Sequence, residues 1–251
     1  MTESRPTLLG ITGTDTGIGK TIVACALAAR ARQLDVRVAA MKPVESGVAS
    51  RVHRDGTRIL SDAERLRDAA GADVPMELVR PYALDEPLAP LVAAQRAGVT
   101  IDVGRLDAAR DELVRNHDLV IVEGAGGLLV PLTFTTSFAQ LFARWRCELI
   151  IVAGNRLGVI NHLLLTVRAA QHEGLRIRAI VMTSLTDQDP GLAEATNFDA
   201  LRSLLPGQKL FRFPWIDRID DPEALAAAVE GSGLDALLLP YDAQRSALTL
   251  A

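Results

Sequence analysis

Gly13-Thr14-Asp15-Thr16-Gly17-Ile18-Gly19-Lys20-Thr21 follows a short apolar run at residues 8–11 and leads directly into Ile22, Val23, Ala24, Ala26, Leu27 and Ala28. The reading is strand, glycine-rich turn, helix start. Glycines let backbone N–H groups converge on an anion at a helix N-terminus, a lysine reaches the outer phosphates, and a Thr hydroxyl ligates the accompanying magnesium. The literal pattern needs a glycine five residues before Gly19. Thr14 stands there and Gly13 lies one residue further back, so this phosphate-binding loop is a variant one residue longer.

Outward from the loop, apolar strands and helices alternate. Residues 36–41 read as a second strand ended by Lys42-Pro43, because proline cannot continue a central ladder. Residues 44–56 carry Glu45, Ser46, Gly47, Ser50 and Asp55 with little periodicity and read as a surface loop. Ser61 precedes Asp62, Leu66 and Ala69 at helical spacing, which makes Ser61 the expected N-cap and puts Asp62 in the first turn. Residues 75–90 hold four of the chain's twelve prolines and are expected to be irregular. Leu106, Ala109, Leu113 and Val114 mark a helix ending near His117. A buried strand at 118–122 then delivers Glu123 into the glycine-rich turn Gly124-Ala125-Gly126-Gly127. A short amphipathic helix at 137–145 precedes strand 149–153, which opens into Gly154-Asn155-Arg156-Leu157-Gly158 ahead of a helix at 159–172. Strand 178–183, helix 192–204, strand 210–213 before Pro214, a segment at 222–229 and apolar residues 234–239 complete the chain. Uniformly apolar strands between helices predict an α/β fold with a predominantly parallel sheet covered by helices on both faces. No repeat or linker divides residues 1–251, so one domain is expected.

Composition narrows the function classes. The chain is 49% apolar and 23% charged, the make-up of a globular protein rather than a disordered one. A net charge of −4 without any dense Lys/Arg block gives no electrostatic footprint for nucleic acid. Residues 1–6 are polar and no window of about 18 residues is continuously apolar, so neither signal peptide nor membrane span is expected and the cytoplasm is the expected compartment. Cys25 and Cys147 lack C-x-x-C spacing and read as buried, reduced thiols. His53, His117, His162 and His172 lack metal-ligand spacing and read as structural or surface residues.

In a parallel sheet all carboxyl ends lie on one rim, where open α/β folds bind ligands. That rim would hold the phosphate loop, Lys42, Glu123 and Asn155-Arg156 after successive strands. Any one of these is an ordinary strand ending. Their recurrence at the same end of each strand points to a composite site, since phosphoryl transfer needs positive charge on the moving group and an acid to hold magnesium.

Gly13 to Thr21, Met41-Lys-Pro-Val-Glu-Ser-Gly47, Val122-Glu-Gly-Ala-Gly-Gly-Leu-Leu-Val-Pro131 and Asn155-Arg-Leu-Gly-Val-Ile-Asn-His162 together closely resemble the dethiobiotin synthetase family, ATP-dependent carboxylases of biotin synthesis with P-loop NTPase architecture. The resemblance runs from about residue 8 to 185 and is thin beyond. It implies a ligase that joins 7,8-diaminononanoate and CO2 through a carbamate, phosphorylates the carbamate with MgATP and lets the second amine close a cyclic urea. On matched positions, Thr14, Asp15, Thr16, Gly17, Ile18, Gly19, Lys20 and Thr21 would hold the nucleotide together with Glu123, Ser184 and Pro214. Thr21, Asp62 and Glu123 would surround Mg2+. Lys42, Lys20 and Thr16 form the implied catalytic set, with Lys42 on the carbamate and the transferring phosphoryl group. Ser46 and Gly126 would lie beside the diamine. The family is homodimeric, and the substrate carboxylate would reach the helix start at Leu157, Gly158, Val159, Ile160 and Asn161 of the partner subunit. Physics agrees, since free N–H groups at a helix start bind carboxylates. Some members place Asn where Ser184 stands. A hydroxyl reads adenine less completely than a carboxamide, which leaves room for nucleotides other than ATP.

The main alternative is a partitioning-type ATPase that uses nucleotide as a switch. Such loops carry a lysine four residues before the glycine of Gly-Lys-Thr, where this chain has Asp15. A cobyrinate-type amide-forming ligase would need a glutaminase portion, for which no placed Cys-His pair remains.

Overall fold

The computed structural model describes residues 6–50, 59–71 and 73–238. In chain order these form β1 (Thr7–Gly13), α1 (Lys20–Gln33), β2 (Val38–Met41), β3 (Val44–Ser46), α2 (Asp62–Ala70), α3 (Met76–Val79), β4 (Tyr82–Leu84), α4 (Pro90–Arg96) and α5 (Val103–Asn116). There follow β5 (Leu119–Gly127), α6 (Phe138–Trp145), β6 (Glu148–Gly154), α7 (Val159–His172), β7 (Arg176–Thr183), α8 (Leu192–Leu204), β8 (Leu210–Phe213) and α9 (Pro222–Ser232).

Six strands make one parallel sheet in the order β2-β5-β1-β6-β7-β8. β1 sits between two strands that come much later in the chain. That reversal of strand order opens a crevice at its carboxyl end, where residues 14–19 lie. Successive residues of each strand face opposite sides: β6 sends Leu149 and Ile151 into one core and Ile150 and Val152 into the other. α5, α6 and α7 cover the first core, α1 and α9 the second. Burial on both faces is why the strands read as unbroken apolar runs.

Every residue of α1 from Val23 to Ala29 is buried, which its alanines permit by letting α2 and α9 close on its flanks. Gly10 serves the opposite face, because a Cβ there would lie 3.2 Å from both Cys147 Cβ and the Phe142 ring. Both cysteines are buried and free. His117 bonds the Leu113 carbonyl, and His162 and His172 are exposed. His53 lies outside the described residues.

Several expectations give way. Val44–Ser46 is strand, paired in parallel with Tyr82–Leu84 as a separate two-stranded sheet. Three residues are too few to show periodicity; the Lys42 N–H to the Val79 carbonyl (2.7 Å) and the Gly47 N–H to the Glu86 carbonyl (3.0 Å) frame the pair. Residues 51–56 of the expected loop lie outside the described residues. Half of residues 75–90 is regular: Pro75 is the N-cap of α3 and Pro90 opens α4, while Pro81 and Pro87 lie in bends as expected. Proline is at home at a helix start, where its missing N–H has no partner to lose. Gly124 to Gly127 is not a turn but the end of β5, with Gly127 still paired to Gly13 beyond a register shift. α5 starts at Val103 because Asp102 caps the Gly104 N–H at 2.8 Å. Ser61 caps α2 as expected, in a reciprocal box with Glu64. Among the described residues no helix is long and apolar enough to cross a membrane.

Candidate active site

The loop after β1 turns on Gly17 and Gly19, at φ +72 and +90. Both values lie in the left-handed region that favours glycine. Gly19 is also the N-cap of α1 and supplies no side-chain cap, so the helix start faces the crevice with its own N–H groups. Lys20 passes back over Gly13, where a Cβ would come within 2.9 Å of its Cδ, and its Nζ donates to the Asp15 carbonyl at 2.7 Å. Burial lowers the Lys20 ammonium to about 8. Thr183 Oγ1 donates to the Ile18 carbonyl at 2.7 Å and ties the loop to the end of β7.

Beside the loop lies a buried charge cluster. Lys42 leaves β2 and places Nζ 2.5 Å from Glu123 Oε1, on β5, and 3.1 Å from Asp62 Oδ2, at the start of α2. Thr21 Oγ1 donates to the same Glu123 oxygen at 2.9 Å. Burial opposes the charge on Lys42, but Glu123 and Asp62 outweigh it and hold the ammonium above the ordinary lysine range. Glu123 is raised by its own burial, with Lys42 pulling the other way. Its Oε2 is buried without a hydrogen-bond partner among the described residues.

These groups face one cavity of about 610 Å³. Its lining includes Thr16, Gly17, Gly19, Lys20, Thr21, Lys42, Ser46, Asp62, Glu123 and Gly126, all expected from the sequence. Glu45, Arg65 and Ile219 also line it and were not foreseen. The cavity thus pairs an anion-binding loop with a buried lysine and two acids, the components of phosphoryl transfer.

A family model described as an AAA domain matches residues 7–223. The ATP-dependent dethiobiotin synthetase BioD of Anaeromyxobacter dehalogenans is 41% identical over 208 residues, covering 82% of this chain and 89% of that protein. The protein of the same name from Aromatoleum aromaticum is 38% identical over 234 residues, covering 93% of this chain and 100% of that one. The chain belongs to the dethiobiotin synthetase family. A ParA family ATPase from Chlorobium tepidum is similar in fold, with a TM-score of 0.51 at 15% identity over 92% of this chain and 94% of that one. That likeness is one of fold alone.

The remaining positions implied by resemblance to dethiobiotin synthetases lie outside the cavity lining. Thr14 gives its N–H to the Val152 carbonyl at 3.0 Å, and the Ile18 side chain is buried under the loop. Asp15 accepts from the Thr16 N–H at 2.7 Å and pairs with Arg156. Ser184 and Pro214 are neighbours on the same rim, because the Ser184 N–H donates to the Phe213 carbonyl at 2.9 Å. Leu157, Gly158, Val159, Ile160 and Asn161 form the turn into α7, with Gly158 at φ +94 and Leu157 85% exposed. Buried Asn197 on α8 steadies that turn by donating to Asn155 Oδ1 and the Arg156 carbonyl. Asn197 carries no local motif, and the partners of Arg156 and Glu45, which lie within the quoted motifs, are revealed only by contacts between distant segments.

Among the described residues no group of three or more His, Cys, Asp or Glu forms a metal cage. The Thr21 hydroxyl and the Asp62 and Glu123 carboxylates are hard oxygen donors, and the orphaned Glu123 Oε2 asks for a cation. This set fits a small hard cation that takes one or two protein carboxylates and completes its shell with phosphate oxygens and water.

Proposed function

We propose that this cavity carries out ATP-dependent formation of dethiobiotin from 7,8-diaminononanoate and CO2. The observation that carries the reading is Lys42 locked between Glu123 and Asp62 beside the Lys20–Thr21 loop, a positive charge placed for the group that moves. One amine of the diamine adds to CO2 and loses a proton, giving a carbamate. A carbamate oxygen takes the γ-phosphoryl group and ADP leaves. The second amine attacks the carbonyl carbon, a C–N bond closes the ring and phosphate departs.

Lys20, Thr16 and the loop N–H groups seat the phosphates. Lys42 meets the carbamate oxygen and the phosphoryl group as charge shifts between them, in a site where burial strengthens that interaction. Ser46 and Gly126, which line the cavity, would lie beside the diamine. Thr21, Asp62 and Glu123 would hold Mg2+, which neutralises charge on the phosphates when bound. No covalent enzyme intermediate is required, only positioned reactants and fixed charge. The chain acts as a homodimer in this reading, with the diaminononanoate carboxylate on the α7 start of the partner subunit. Ser184 and Pro214 border the nucleotide base. The rival nucleotide-switch reading rests on a likeness of fold alone.

The deciding measurement is phosphate release with Mg2+ and a panel of nucleotides, with and without diaminononanoate and bicarbonate. Turnover that depends on the diamine is expected. Turnover indifferent to it would sink the reading.

A further inference from the structure

Glu45 has no part in the chemistry above, yet it is only 1% exposed. Its carboxylate accepts from the backbone N–H groups of Asp62 (2.7 Å) and Ala63 (3.4 Å) and from Arg80 Nη1 (2.9 Å). Arg80 Nη1 also donates to Ser61 Oγ at 3.1 Å. One buried acid on β3 therefore ties the start of α2 to the segment that carries α3 and β4. The helix buries Leu66, Ala69 and Ala70 elsewhere, and such non-directional apolar contacts fix its distance from the core better than its placement along its own axis. The Glu45 hydrogen bonds supply direction at the first helical N–H groups, as the Arg65–Asp220 ion pair does at Arg65. An anion on helix N–H groups is favoured by the helix dipole as well.

We propose that Glu45 is a positioning residue. By holding the first turn of α2 it places the Asp62 carboxylate against Lys42 and toward the phosphate loop, and it touches no reacting atom. The inference rests on the reading of Asp62 and Lys42 as parts of the site. What matters is the reach of an acceptor oxygen to the Asp62 N–H. Glutamine keeps that reach and loses the charge; aspartate keeps the charge and falls one methylene short.

The test uses the full chain with Glu45→Ala, Glu45→Gln, Glu45→Asp, Asp62→Asn and the Glu45→Ala/Asp62→Asn double variant. Readouts are kcat, KM for diaminononanoate, and Mn2+ affinity in the presence of a non-hydrolysable ATP analogue by electron paramagnetic resonance. Glu45→Ala is expected to lower kcat by about 10–100-fold, the usual cost of losing a residue that orients a ligand, and to weaken Mn2+ binding in step. KM for the diamine should stay within about threefold. Glu45→Gln should retain more activity than Glu45→Asp, and the double variant should be no worse than Asp62→Asn, since the two changes act through one group. Glu45→Asp outperforming Glu45→Gln, multiplying losses in the double variant, or a raised KM at unchanged kcat would each overturn the inference. If Glu45→Ala does not fold, the Gln and Asp comparison decides. If the wild-type chain shows no diamine-dependent turnover, the functional reading fails by itself. The Mn2+ series still judges Glu45, and equal affinity across its variants overturns the role.

Discussion

The Lys42 ammonium sits 2.5 Å from the Glu123 carboxylate, with both side chains almost wholly withdrawn from water. Removing one partner of such a pair leaves an uncompensated buried charge, at a cost of about 3–5 kcal/mol. Lys42→Met should therefore melt well below the wild type. Mg2+ should recover more of that loss in the variant than it adds to the wild type, because a metal at Glu123 and Asp62 then has no ammonium to displace. Thermal melts with and without Mg2+ check this. The variant should bind nucleotide and fail to close the ring; a loss of nucleotide affinity as severe as that of Lys20→Ala would refute the assignment of Lys42 to the reacting group.

Lys20 illustrates a site kept at the expense of stability. Burial brings its ammonium from the ordinary 10.5 to about 8. Between those values the unfolded chain binds more protons than the folded one, so this residue's contribution to stability rises with pH across that window. Below it the charged lysine carries a penalty on the order of 3 kcal/mol. Lys20→Met should thus melt several degrees above the wild type at pH 7 in nucleotide-free, chelator-treated samples. The gap should narrow as pH rises past 8 toward 10.5. A gap that widens with pH contradicts the sign.

Gly13→Ala tests the path of the lysine stem. Its Cβ would lie 2.8 Å from Ile18 Cδ1, 2.9 Å from Lys20 Cδ and 3.1 Å from the Asp15 carbonyl. The loop has to shift, and nucleotide affinity measured by calorimetry should fall by about 5- to 150-fold, the range that corresponds to 1–3 kcal/mol of overpacking.

Ser184→Asn addresses the nucleotide base. The position follows Thr183, which already contacts the loop, and lies beside Pro214 on the rim. A carboxamide offers both a donor and an acceptor to adenine. The ATP-to-CTP preference in competition assays should rise several-fold; an unchanged ratio would place the base elsewhere.

Sharing of sites between subunits has its own readout. Glu123→Ala and Gly158→Trp should each be inactive, the latter because φ +94 strains any side chain and the indole fills the start of α7. Random re-association of equal amounts makes half the dimers mixed, each with one intact site, so roughly a quarter of wild-type activity should return. No recovery would mean sites built within one subunit.

The loop at 13–21, Lys42 and Glu123 were legible because each is a local signal at the end of an apolar strand. Ser61 was legible for the same reason, its cap being written within four residues. Glu45 was not, because its meaning depends on Arg80 and on the start of α2, segments 17 to 35 residues away. Pro75 and Pro90 misled in the other direction, since a proline that begins a helix and one that interrupts order look alike without their neighbours. The glycines after Glu123 suggested a turn because nothing in their own sequence announces β1 as a ladder partner.

The small β3–β4 sheet stands apart from the large one. Its six residues bring Ser46 and Glu45 to the cavity, while the phosphate loop leads into α1, which is buried from Val23 to Ala29. In the proposed reading this strand pair meets the organic substrate through Ser46, while the neighbouring Glu45 keeps it coupled to α2 and Asp62. Redesign for a longer or differently charged diamine would therefore begin at Ser46 and leave Glu45 in place, so that α2 and the Asp62 carboxylate keep their seat.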